Sequence, residues 1–282
     1  MAIKTNLFDL TNQVAFITGG ASGIGKAIAE VMVLHGAKVF IGSRTQEKVD
    51  KAIIEISRAT EADEADPAEP IVSGMSLDVT SDDSVEAAVK QCVDTFGRVD
   101  ILVNCAGVII KKPTFDLTMD EFNLIHESHV TGSLRCAQAV GHLMREQHSG
   151  SIINIASISS FVDLVEVAAY AAAKNAVMGL TRSLANEWAK YGIRTNAIAP
   201  GFIPTDLNRQ FLEGTDRGRR IMEHTPMGRW GKSEEIAPAA VYLASPAASF
   251  VNGHTLLVDG GYLACGIGDQ VAEWAGEEED AD

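Results

Sequence analysis

Residues 14–25 read Val14-Ala-Phe-Ile-Thr18-Gly19-Gly20-Ala21-Ser22-Gly23-Ile24-Gly25. The first five are an apolar, β-branched and aromatic run of strand length, as expected of a strand buried on both faces. From Ile24 the apolar residues Ala27, Ile28, Val31 and Leu34 recur at spacings of three and four, the stripe of a helix. Between them lie Gly19, Gly23 and Gly25. Glycines there let the chain turn sharply and bring its backbone close to a pyrophosphate, while the helix beyond offers free N–H groups and a positive dipole end. A strand, a glycine-rich turn and a helix in this order are the context in which such a run implies a dinucleotide. The spacing is G-x-x-x-G-x-G and not the commoner G-x-G-x-x-G.

The alternation continues along the chain. Strands are expected at 37–41, 71–77, 99–104, 151–156, 193–198 and 255–258. Helical periodicity marks Val49–Ile56, 85–96, a long helix over 118–146, 168–190 and 234–244. Near-continuous apolar strands alternating with helices predict an α/β fold: a single Rossmann-type doubly wound parallel sheet with helices on both faces. One domain accounts for residues 8–265, and residues 266–282 read as an acidic tail.

The 282 residues are 46% apolar and 22% charged, an ordinary globular composition. The formal net charge is −15. Residues 59–70 carry five acids and residues 268–282 carry seven, with no base in either, so the body is close to neutral. No basic stripe suits nucleic acid. No apolar run reaches membrane-spanning length, and the first residues lack a signal-peptide core. Cys92, Cys105, Cys136 and Cys265 form no CxxC pair or metal-ligand spacing, and are expected reduced. The expectation is a cytoplasmic protein with no metal, no membrane and no nucleic-acid partner.

The glycine spacing resembles that of the short-chain dehydrogenases/reductases, and further motifs of that family follow in order. Asn104-Cys105-Ala106-Gly107 matches its NNAG with one substitution. Ser157 precedes Tyr170 by thirteen residues, and Tyr170-Ala-Ala-Ala-Lys174 matches its YxxxK. Pro200-Gly201 with Thr205, and Asp259-Gly260-Gly261, match its PG and DGG segments. The resemblance implies contacts to the cofactor from Gly19, Ser22, Gly23, Ile24, Gly25, Ser43, Arg44, Asp78, Val79, Asn104, Ala106, Gly107, Tyr170, Lys174, Pro200, Gly201, Ile203 and Thr205.

Tyr170 and Lys174, four apart on a helix, share a face. A phenol of pKa about 10 is a poor base at neutral pH, and a neighbouring ammonium favours its phenolate. Such a pair suits proton exchange with an alcohol or ketone oxygen, which Ser157 at a strand end could also bond. The family reading is the same: Tyr170 moves the proton, Ser157 positions the oxygen, Lys174 also holds the nicotinamide ribose, and the cofactor carries the hydride. In one departure, His129 in Glu127-Ser-His129-Val-Thr-Gly132 stands where the family has a relay asparagine. An imidazole there could hold the relay water and titrate near neutrality, or be a tolerated substitution. His129 is therefore grouped with the catalytic candidates.

The second strand ends Phe40-Ile-Gly-Ser43-Arg44, with no carboxylate for a ribose 2′-hydroxyl. Arg44 suits a 2′-phosphate and Ser43 a hydrogen bond, which favours NADP(H). Ser22 stands where many NADP-preferring relatives have a base, so NAD(H) stays open.

Lys111 and Lys112, and the basic residues of 202–225 including Arg209 and Arg217, suit a substrate carboxylate. Lys111, Lys112, Ser157, Tyr170 and Arg209 are the substrate-contact candidates, and 202–225 reads as a lid. The run from Thr205 to Gly231 and the closing DGGYLACGI resemble the gluconate and mannonate oxidoreductases. The expected activity is alcohol–ketone interconversion on a sugar acid or polyol. A 3-oxoacyl-thioester reductase is the alternative enzyme, with Phe161, Val162, Leu164 and Val165 as an acyl groove. A cofactor-binding regulator without turnover is the non-enzyme alternative. The family implies a homotetramer built on the helices near 118–146 and 168–190 and the segment after Thr255.

Overall fold

The computed structural model describes residues 6–61, 70–206 and 208–266. Seven parallel strands form one sheet in the order β3-β2-β1-β4-β5-β6-β7. They are β1 (Val14–Thr18), β2 (Lys38–Ser43), β3 (Val72–Ser76), β4 (Ile101–Asn104), β5 (Gly150–Ile155), β6 (Ile193–Pro200) and β7 (Thr255–Val258). The order reverses between β1 and β4, so a crevice opens at the carboxyl ends of these two neighbours. The acidic insertion, apart from its ends, and the tail from 267 onward lie outside the described residues.

Strand alternation sends successive side chains to opposite faces. Ala15, Ile17, Val39, Ile41, Val103 and Ile153 pack on one face against α1 (Gly23–Leu34), α2 (Gln46–Ala59) and α9 (Ser233–Ala244). Phe16, Phe40, Leu102 and Ile152 pack on the other against α3 (Asp82–Phe96), α5 (Gly132–Gln147) and α6 (Ala168–Trp188). Phe16 and Phe40 stack with ring centroids 5.5 Å apart. Burial on both faces explains why these strands read as unbroken apolar runs.

One expectation fails here. The helix expected over 118–146 is two helices, α4 (Met119–His126) and α5, joined by a π-helical turn at Glu127–Thr131. The wide turn buries Ser128 and His129, and the Ser133 hydroxyl donates to the His129 carbonyl over 2.7 Å. Apolar spacing does not distinguish a π turn from an α turn, because one added residue leaves the stripe readable. Beyond β6 the expected lid contains two short helices, α7 (Arg209–Leu212) and α8 (Asp216–His224).

Candidate active site

The carboxyl ends of β1, β4, β5 and β6 converge on one edge of the sheet. Gly19 and Gly23 take left-handed φ values of 69° and 51°, which only glycine adopts without cost. A Cβ on Gly19 would meet the Ala106 nitrogen at 2.9 Å, so the turn lies directly against the loop after β4. That loop is pinned from beneath: the Thr18 hydroxyl accepts the N–H groups of Cys105 and Ala106, each at 3.1 Å. Ser22 does not cap α1, and no acid stands in its first turn. An uncapped helix N-terminus under a tight glycine turn suits a pyrophosphate. Thr205 folds onto the same turn, its methyl 3.2 Å from where a Gly23 Cβ would sit. Asn104 donates to the Ser133 carbonyl and to Asn154, while its Oδ1 is buried without a partner.

Just past β2, Arg44 stands exposed, and Ser43 is half-buried. No carboxylate ends that strand. The Asp78 carboxylate accepts the Thr80 N–H and hydroxyl at 2.9 and 2.7 Å. These bonds hold its pKa below the ordinary value, with the charge of Arg44 helping. Val79 is buried beside it. Ile203 is buried as well, and Gly201 packs against Asp259, where a Cβ would meet its Cα at 2.7 Å. Arg44, the glycine turn with its uncapped helix N-terminus, and Lys174 thus stand at or beyond the carboxyl ends of the strands, and their donors fit a dinucleotide.

Lys174 is buried and donates to the Ile155 carbonyl at 2.5 Å. Its Nζ lies 5.5 Å from the centre of the Tyr170 ring. Burial pulls its pKa down to about 8. Burial also pushes the Tyr170 phenol up to about 12, and the neighbouring Ser157 hydroxyl offsets only part of that. The expected depression of the tyrosine is therefore corrected: desolvation is the leading influence on the phenol, and the ammonium 5.5 Å from the ring centre does not offset it. Ser157 lies two residues past β5 and caps a short helical turn at Ile158–Ser160, its Oγ accepting the Ser159 N–H at 3.1 Å. What the arrangement offers is a protonated phenol beside a hydroxyl, ready to give a proton to a carbonyl oxygen.

His129 requires a second correction. Its Nε2 lies 2.7 Å from the Val108 carbonyl oxygen and 3.2 Å from the Val108 nitrogen. The shorter contact places the proton on Nε2, donating to the carbonyl. Nδ1 is left buried without a partner. Burial, reinforced by the charge of Lys174, drives the imidazole pKa down to about 3. The ring does not titrate near neutrality. Gly107 makes its room, since a Cβ there would fall on the imidazole Cε1.

A cavity beside Ser157 and Tyr170 is lined by Lys111, Asn208, Phe211 and Arg217 among others. Of the proposed substrate contacts, Lys111, Ser157 and Tyr170 meet there. Lys112 and Arg209 do not line it. Lys112 is held by Glu121 at 2.8 Å, and Arg209 by Glu213 at 2.6 Å on its own short helix. The second pairing was readable in the sequence as an i, i+4 match. The first belongs to a capping box in which Glu121 also bonds Thr118. Arg217, already among the basic residues of 202–225, lines the cavity together with Asn208 and Phe211. Burial leaves the Cys92 and Cys136 thiols at about 12 and Cys105 at about 11, far from reactive values. No metal-binding cluster occurs among the described residues, and no described helix is long and apolar enough to cross a membrane.

Residues 19–263 match a family model described as enoyl-(acyl carrier protein) reductase. The 2-dehydro-3-deoxy-D-gluconate 5-dehydrogenase of Dickeya dadantii is 37% identical, over 92% of this chain and 98% of that one. The 3-oxoacyl-(acyl-carrier-protein) reductase of Vibrio cholerae is 39% identical, over 90% of this chain and 98% of the other. The crystal structure of a gluconate 5-dehydrogenase from Burkholderia cenocepacia J2315, in complex with NADP and tartrate, superposes with a TM-score of 0.85. It is 34% identical, covering 92% of this chain and 98% of that one. Sugar-acid and acyl-thioester enzymes are thus about equally near in sequence. The glycine turn and the serine–tyrosine–lysine corner lie inside the matched span, and the chain belongs to the short-chain dehydrogenase/reductase family of oxidoreductases.

Proposed function

We propose that this chain is an NADP(H)-preferring oxidoreductase that interconverts a secondary alcohol and a ketone on a sugar acid. One observation carries the reading: Lys111 and Arg217 line the same cavity as Ser157 and Tyr170, so a carboxylate held by the cations presents its carbon chain to the phenol. The gluconate-type relatives support it. Arg44, with no carboxylate at the end of β2, supports NADP(H) over NAD(H).

Tyr170 gives a proton to the carbonyl oxygen in reduction and takes it back in oxidation. Ser157 holds the same oxygen in line. The Lys174 ammonium, anchored by its bond to the Ile155 carbonyl, would hold the nicotinamide ribose hydroxyls with its remaining donors. The nicotinamide, when bound, supplies or accepts the hydride. Half-buried Ala106 and Gly107, beside the glycine turn, would lie against the bound cofactor. The helices α4, α5 and α6 and the β7 edge form the contacts of a homotetramer, to which exposed Leu124, Met119 and Leu257 contribute apolar surface. Four free cysteines suit the cytoplasm.

A thioester reductase is the second reading. Leu164 in the cavity wall, with Phe161 and Val165 exposed on the same segment of chain, favours it as an acyl-chain surface. The separating experiment replaces Lys111 and Arg217 by glutamine. A sugar-acid enzyme then shows a KM for its keto-acid raised by about tenfold or more, whereas reduction of an uncharged diketone changes little. An unchanged KM for the keto-acid overturns the assignment.

A further inference from the structure

Glu166, next in sequence to the cavity-lining Val167, joins three segments. Its carboxylate lies 2.7 Å from Lys111 Nζ, on the loop after β4, and 3.8 Å from Arg217 Nη1, on α8. Its own backbone is equally engaged: Lys112 N–H donates to the Glu166 carbonyl at 2.7 Å, and Arg217 donates to the adjoining Val165 carbonyl at 3.0 Å. Glu166 also holds a left-handed φ of 69°, a conformation that non-glycine residues keep only when their surroundings impose it. All three side chains are partly exposed, Lys111 26%, Glu166 31% and Arg217 24%, and not sealed in the core.

The charges count simply. Two cations, Lys111 and Arg217, line the cavity, and the one carboxylate paired with them neutralises one, leaving a single net positive charge for a ligand. Lys112 adds nothing, because Glu121 takes it. Bonding to Lys111 keeps the Glu166 carboxyl ionised, so the count holds across neutral pH.

We propose that Glu166 sets the charge of this headgroup end, so that the site takes a singly charged polyhydroxy carboxylate and turns away neutral polyols and phosphorylated sugars. The inference rests on the sugar-acid reading above and sharpens it. A neutral hydroxymethyl end leaves the cation uncompensated. A phosphate dianion meets both cations but also the Glu166 carboxylate, and the added repulsion at close range is unfavourable.

The test uses the full chain saturated with NADPH, in which an alcohol ligand binds but is not oxidised. Calorimetry gives Kd for three six-carbon probes: D-glucitol, D-gluconate and D-glucitol 6-phosphate. Wild type is expected to bind gluconate most tightly. In Glu166→Gln the ratio of affinities moves by about tenfold toward the phosphate. Glu166→Asp, which keeps the charge, retains the wild-type order, an outcome that a merely structural role for the side chain would not produce. Arg217→Gln removes the net charge from the other side and erases the preference for gluconate over glucitol. An unmoved gluconate-to-phosphate ratio in Glu166→Gln overturns the proposal while leaving the sugar-acid reading intact. A wild type that binds none of the three but reduces an acetoacetyl thioester overturns both.

Discussion

The His129 imidazole meets the Tyr170 ring edge to face, with centroids 5.3 Å apart and planes at 86°, while its Nε2 bonds the Val108 carbonyl at 2.7 Å. The ring is a neutral strut between the catalytic helix and the loop after β4. His129→Asn, which can still donate to that carbonyl, is expected to keep kcat/KM within about tenfold and to leave the pH profile unshifted between about pH 5 and 8. The pH profiles of the two proteins check this, and a displaced acid limb in the variant would show that the imidazole titrates during turnover.

The same residue has a consequence for stability. Its folded pKa, about 3, lies well below its ordinary 6.5. The unfolded chain therefore binds the extra proton first, and stability that is intact above pH 6.5 is lost as pH falls toward 3. At about pH 5 this one group costs the native state on the order of 2 kcal/mol. Denaturant titrations at about pH 7 and pH 5 are expected to show a larger drop for wild type than for His129→Asn. Equal drops would place the acid sensitivity elsewhere.

Gly107 and His129 are coupled by space. A Cβ at 107 would fall on the imidazole, so Gly107→Ala is expected to destabilise by about 1–3 kcal/mol through overpacking. The smaller side chain of His129→Asn relieves the clash, and the double variant recovers more than about 1 kcal/mol of the loss. Additive effects in the double-mutant cycle would contradict the geometry.

Lys174 is held as a buried cation at a cost. Its pKa is lowered from 10.5 to about 8, so the penalty is fully present below pH 8 and is relieved as pH rises from 8 toward 10.5. Lys174→Met removes it but also loses the bond to the Ile155 carbonyl. The net expectation at neutral pH is a gain of about 1–2 kcal/mol, a few degrees in Tm. Activity falls by about 100-fold or more. A variant that is both slower and less stable would show that the ammonium contributes to the fold.

Much of this was legible in the sequence because the relevant spacings are local. The buried strands declare themselves as apolar runs, the glycine turn by its place between strand and helix, and Tyr170 with Lys174 by a four-residue step. What escaped depends on contacts across the chain. The π turn at 127–131 hides within a helical stripe. The partners of Lys112, and the meeting of Lys111, Glu166 and Arg217, follow from the way three loops fold together over the sheet edge. The pKa of Tyr170 was misjudged because spacing reports a neighbour's charge but not how little water surrounds it.

The substrate assignment is tested most directly by following NADPH absorbance with purified protein and a panel of keto-hexonates, hexonates, polyols and an acetoacetyl thioester, each with NADP(H) and NAD(H). Turnover is predicted on a sugar acid, with kcat/KM for NADP(H) exceeding that for NAD(H) by about tenfold or more. Turnover of the thioester alone, with the sugar acids inert, would contradict the assignment.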